Sequence, residues 1–190
     1  GKEKIIAINP NSQKNNHIIN AANKYKDDGA IHIWAHGNPN SITVYSGNGE
    51  KEIKTTKGFQ DFLSVNSKVW KEKGESDPVT IILHSCKTGK ETGNEPSFAN
   101  KVSKDLKNTT VIAPSENVVV SNDETEMGAY STKIINDNGT QKTVTDQEGT
   151  WNEFSNGEKV DSHPGNWQPQ DNSKNSSGFI DNIKKFLNLK

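Results

Sequence analysis

Two short motifs constrain this chain more than anything else in it: Ile31-His32-Ile33-Trp34-Ala35-His36-Gly37 and Thr80-Ile81-Ile82-Leu83-His84-Ser85-Cys86-Lys87-Thr88-Gly89. Each is an apolar run that ends in a reactive side chain beside glycine or a small polar residue. Uninterrupted apolar runs are the mark of parallel strands buried on both faces, and in open α/β sheets the chemistry gathers where such strands end. Both motifs are therefore expected at one edge of one sheet, with the His36 imidazole brought towards Cys86. Cys86 is the only cysteine among 190 residues. A lone cysteine with a histidine on a separate segment is a candidate nucleophile with its general base.

The rest of the pattern supplies the connections. Lys4 to Ile8 reads as a first strand, and Ile18, Ile19, Ala22 and Tyr25 fall at helical spacing. Ile42 to Tyr45 followed by Gly47-Asn48-Gly49 reads as a hairpin. Phe59, Phe62, Leu63, Val69 and Trp70 mark one long amphipathic helix between the two motifs, so that strand, helix and strand form a crossover unit. Pro96 opens a helix with Phe98, Ala99, Val102 and Leu106 on one face, and Thr110 to Ala113 is a further strand. From about residue 117 to 160 the pattern changes to hairpins, with turns at Asn138-Gly139 and Asn156-Gly157, and predicts a β-flap beside the α/β core. Residues 161–177 are rich in Pro, Asn, Ser and Gln and read as a linker. Residues 178–190 carry Phe179, Ile180, Ile183, Phe186 and Leu187 at the spacing of a C-terminal amphipathic helix.

Composition narrows the function classes. At 29% hydrophobic residues and a mean hydropathy of −0.89 the core must be confined to the few apolar segments. The net charge of −1 argues against nucleic acid as a partner, and no apolar run is long enough to span a membrane. One cysteine makes no internal disulfide, and a thiolate works best where thiols stay reduced, so a cytosol is the expected place of action. The chain starts at Gly1 and its only methionine is Met127, which suggests a domain cut from a larger polypeptide.

The layout of strand-His36-Gly37, helix, then strand-Ser85-Cys86 resembles the caspase-like cysteine peptidases of clan CD. His36 and Cys86 lie fifty residues apart, and about that interval separates the two in caspases. Among these enzymes the chain looks most like the autoprocessing cysteine protease domain of the large clostridial toxins. The likeness extends through Val111 to Asn117 and to Gly149-Thr150-Trp151. It implies a caspase-like, mostly parallel sheet flanked by helices over residues 1–160, followed within that span by the flap. It implies catalysis by Cys86 and His36, with the amides of Gly37 and Cys86 binding the oxyanion. It also implies a setting as an effector or self-processing module of a secreted or delivered bacterial protein. Its partners would be a peptide substrate, its own parent chain or an immunity-type protein. Substrate would lie as an added strand along Ser115, Glu116 and Asn117.

Two departures from those enzymes matter. All 23 cations are lysine, so the arginine fork that reads an acidic residue before the scissile bond is absent. The toxin domains are activated by inositol hexakisphosphate through a basic flap. Here residues 117–160 hold three lysines against eight acids, so no such cofactor is expected.

Other readings of the same residues stay open. Leu83 to Gly89 is also a degenerate nucleophile elbow, which would make the chain a serine hydrolase attacking through Ser85. A non-enzymatic partner-binding module is the third possibility. His32, four before His36, and His84, two before Cys86, lack the companion spacings of known zinc sites, so no metal is expected and His84 reads as a pocket wall. His163 falls in the expected linker and reads as solvent-exposed.

Overall fold

The computed structural model describes residues 3–26 and 29–168. The expected C-terminal helix at 178–190 lies outside them. The central sheet has six strands in the order β1 (Glu3–Ile6), β2 (Ile31–Trp34), β6 (Val79–His84), β7 (Thr109–Pro114), β11 (Thr150–Ser155) and β12 (Glu158–Pro164). The first four pair in parallel, and β11 and β12 extend the sheet antiparallel. Between β2 and β6 the chain forms a small antiparallel sheet of β3 (His36–Asn38), β4 (Ser41–Ser46) and β5 (Gly49–Ile53). A third sheet holds β8 (Asn117–Val120), β9 (Met127–Asp137) and β10 (Thr140–Glu148). The molecule is thus mixed α/β with a mostly parallel centre.

The central strands alternate between two cores. On one face Ile31, Ile33, Ile81, Leu83 and Val111 pack with Phe59 and Leu63 of α2 (Thr56–Asn66) and Phe98 and Val102 of α4 (Phe98–Asp105). On the other, Trp34 and Cys86 pack with Ile18, Ala21 and Ala22 of α1 (Asn16–Lys24) and with Val118 and Val120 of β8. Both faces are covered, which is why these strands read as unbroken apolar runs.

Three expectations need correction. The single helix expected from Phe59 to Trp70 is two, because Ser67 is extended and caps α3 (Lys68–Glu72) by accepting from Trp70 N–H at 3.0 Å. Ser67 donates in turn to the Glu3 carboxylate, which also accepts from Lys68 N–H at 2.7 Å. That carboxylate fixes the break. The flap is shorter than expected: β8 to β10 form a separate sheet, whereas β11 and β12 join the core, because Trp151 and Phe154 are fully buried against it. Finally, the linker does not begin at residue 161. Strand β12 runs to Pro164, and Trp167 and Gln168 are buried, with Gln168 Nε2 donating to Met127 O at 3.2 Å.

Candidate functional site

Strand β2 ends at Trp34, and Ala35 N–H still reaches His84 O at 3.3 Å, so the pairing of β2 with β6 carries both motifs to the same edge. The chain then turns off as β3, where His36 faces Thr43 and Gly37 faces Ile42. An ideal Cβ on Gly37 would stand 2.7 Å from Thr88 Cγ2 and 3.0 Å from both Cys86 O and Ser85 Cβ. The His36-Gly37 backbone therefore lies directly on the Ser85-Cys86 turn, at a distance only glycine allows.

Beyond Cys86 the backbone reverses at Lys87, whose φ is 60°. The reversal is tied to the end of β7: Lys87 N–H donates to Glu116 O at 3.0 Å and Gly89 N–H to Pro114 O at 2.9 Å. Val118 N–H points at Cys86 Sγ, 3.3 Å away. The three residues expected to bind substrate thus flank the cysteine. Their side chains are already engaged: Ser115 Oγ accepts from Thr150 N–H at 2.9 Å, Asn117 Nδ2 donates to Thr132 at 3.0 Å, and Glu116 pairs with Lys90 at 3.4 Å.

Cys86 itself is buried, at 1% exposure, among Ile8, Ile18, Trp34, Val118 and Met127. His36 is half-buried, and its Nδ1 is a buried atom without a hydrogen-bond partner among the described residues. Burial holds its pKa below the ordinary histidine value, partly offset by Glu50 and reinforced by Lys14. The ring is therefore neutral at neutral pH and free to accept a proton.

Ser85 is placed differently from an elbow nucleophile. Its Oγ is buried and shares a hydrogen bond with Thr88 Oγ1 at 2.9 Å, and the next helix, α4, begins only at Phe98.

The sequence model of a family described as "Domain of unknown function (DUF8616)" matches residues 6–142. The chain belongs to this family. The matched span contains His36, Gly37, Cys86 and Ser115 to Asn117, and stops before β11 and β12. No curated protein and no solved structure matches the chain.

Two features of this family member were not visible in its sequence. His32 and His84 are fully buried and share a hydrogen bond between Nδ1 and Nε2 at 2.9 Å. Trp34 stacks on His84 with centroids 4.2 Å apart, and Tyr25 and Trp151 meet it edge-on. The expected pocket wall is thus an aromatic box. Burial, followed by the neighbouring His32 and Lys4, pushes the His84 pKa well below its usual value. The second feature is His163, expected to be exposed but held in β12 by a stack on Trp167 at 3.9 Å.

The His84 shift fixes a pH dependence. Above the ordinary histidine value of about 6.5 both folded and unfolded chains are neutral at this site, and there is no penalty. Below it the unfolded chain takes up a proton that the fold refuses. Stability should fall with pH until the folded pKa is reached, by up to about 1.4 kcal/mol per unit for this one proton. Urea midpoints measured between pH 7.5 and 5 should drop, with a shallower drop in His84→Phe. Equal slopes in the two proteins would refute the assignment.

No helix among the described residues is long and apolar enough to cross a membrane.

Proposed function

We propose that this chain is a caspase-like cysteine endopeptidase domain in which Cys86 is the nucleophile and His36 its proton-transfer partner. The observation that carries the reading is the seating of Gly37 on Ser85 and Cys86 at the shared carboxyl edge of β2 and β6. In this reading the Cys86 thiolate attacks the scissile carbonyl, forming the C–S bond. The oxyanion is held by the amides of Gly37 and Cys86, each worth about 10²–10³ in rate. His36, carrying the proton taken from the thiol, passes it to the leaving amine as the C–N bond breaks. Water then hydrolyses the thioester. The absence of arginine favours a neutral or basic residue over an acidic one before the cleaved bond. On the resemblance, the domain would be an effector or self-processing module of a larger bacterial toxin-like protein, acting in a reducing cytosol.

With Cys86 enclosed by α1 and β8, a peptide reaches Sγ only when those elements part. The same burial supports a second reading, a non-enzymatic partner-binding module in which Cys86 is a core residue. Incubating the chain with a peptide library and reading cleavage by mass spectrometry separates the readings. Cleavage lost in Cys86→Ala and kept in Ser85→Ala is the expected result. Loss in Ser85→Ala alone would move the nucleophile to Ser85, and no cleavage by the parent chain would favour the binding module.

A further inference from the structure

We propose that Glu153, Asp161 and His163 form a binding site for a divalent cation of the zinc class, on the face of β11 and β12 that carries Trp167. A β-bulge creates the cluster. The tight turn pairs Ser155 with Glu158 and Phe154 with Lys159, but the register then slips by one, so that Glu153 faces Asp161 and Trp151 faces His163. Val160 is the extra residue and is exposed. The slip puts Asp161 and His163 on the same side as Glu153, whereas an unbroken ladder would have sent them to the other.

Two carboxylates directly opposite each other on an antiparallel pair repel, so the bulge assembles an arrangement that a bare hairpin disfavours. A cation between them reverses that cost. The separations are suited to one. His163 Nε2 lies 3.3 Å from Glu153 Oε2 and 3.8 Å from Asp161 Oδ2, and the three ligand atoms are all within 4.8 Å of one another. A charge-assisted hydrogen bond between imidazolium and carboxylate closes to about 2.7–2.9 Å. Ligands of tetrahedral zinc at about 2.0–2.2 Å from the metal stand about 3.4 Å apart. The 3.3 Å contact is a hydrogen bond between His163 and Glu153 in the metal-free chain, and it is also close to the vertex spacing of a metal site.

The ligands are also held in place. The His163 ring lies flat on Trp167, at 3.9 Å and 12°, and Trp167 is itself buried and donates its backbone N–H to Pro164 O at 2.9 Å. Glu153 and His163 are about three-quarters covered, at 27% and 22% side-chain exposure, while Asp161 at 59% leaves an open side for water to complete the coordination. One imidazole and two carboxylates suit zinc and its neighbours better than calcium or magnesium, which prefer oxygen alone. The site lies beyond the 6–142 span shared with the family and includes neither Cys86 nor His36.

Calorimetric titration of the whole chain with zinc chloride, in a non-chelating buffer, should reveal one site per chain. Glu153→Gln, Asp161→Asn and His163→Gln should each weaken it by about tenfold or more, and Cys86→Ser should leave it unchanged. Copper bound at the same place should quench the parent's indole fluorescence, and quench Trp167→Phe less, the remaining quenching coming from Trp151, which faces His163. Without metal, Glu153→Gln and Asp161→Asn should melt no lower than the parent, because each removes one of two opposed charges. Absence of binding at millimolar zinc, or an affinity unchanged in the two carboxamide variants, would overturn the proposal. So would a metal-free drop in melting temperature in both, which would assign the carboxylates to an ion pair with His163.

Discussion

Gly89→Ala should cost the fold several kcal/mol, more than most single substitutions in this chain. Gly89 is the last residue of the Cys86 motif, and its N–H donates to Pro114 O at 2.9 Å while its carbonyl accepts from Asn152 Nδ2 at 3.0 Å. The turn is thereby pressed onto the end of β7. An ideal Cβ there would stand 2.3 Å from Ala113 O and 2.7 Å from Ala113 C, which are backbone atoms of a central strand and cannot swing aside. Overpacking costs about 1–3 kcal/mol where side chains can shift, and more where backbone must. If the turn lifts to make room, the two hydrogen bonds are lost at about 1 kcal/mol each. Against a total stability of about 5–15 kcal/mol that is a large fraction. Gly93→Ala is the matched control. Gly93 has φ of 59° and no atom of the described residues within 4 Å of its would-be Cβ, so alanine there should cost only the left-handed backbone penalty of about 1–2 kcal/mol. Urea unfolding of the two variants beside the parent tests the contrast. Equal losses would mean that the Cys86 turn does not rest on Ala113 as described.

The same contacts show why parts of this molecule can be read from its sequence and others cannot. The strands leading into His36 and Cys86 are legible because burial on both faces leaves no room for polar alternation, and the apolar runs end where the sheet ends. That the two motif ends would be neighbours follows from parallel strands that end in register, Trp34 opposite His84. The break at Ser67 was hidden because its cause, the Glu3 carboxylate, is 64 residues away. Strand β12 was hidden because its seven residues are mostly polar and exposed, with Asp161 and Ser162 in a composition typical of loops. Its pairing comes from the Asn156-Gly157 turn, and the bulge after Glu153 reverses the faces that simple alternation assigns. The aromatic box was hidden for another reason. His32 and His84 look like motif residues, yet their partners Tyr25 and Trp151 come from distant segments that only the fold brings together.

If the peptidase reading holds, His36→Ala and Cys86→Ala should each lower cleavage of a good library peptide by about 10³-fold or more, and the double variant should lose no further. A nucleophile and the base that deprotonates it act as a unit, so once either is gone the other has nothing to do, and the losses do not add. Independent roles would instead multiply, and a double variant worse than either single by another factor of about 10² would separate the two residues. Two further readouts tie the effect to geometry. Burial depresses the His36 pKa, so the imidazole keeps its capacity to accept the thiol proton below the usual histidine value, and the acid limb of the rate profile should lie below about pH 6.5. A limb at or above that value would mean that another group governs it. Gly37→Ala inserts a methyl 2.7 Å from Thr88 Cγ2 and 3.0 Å from Cys86 O, forcing the His36 segment off the Cys86 turn while leaving both reactive side chains in the chain. A displacement of about 1 Å at the chemistry costs about 10²-fold, so this variant should fold, keep its thiol and still be slow. Full activity in Gly37→Ala would remove the contact between the two motifs from the mechanism, and with it the main structural support for pairing His36 with Cys86.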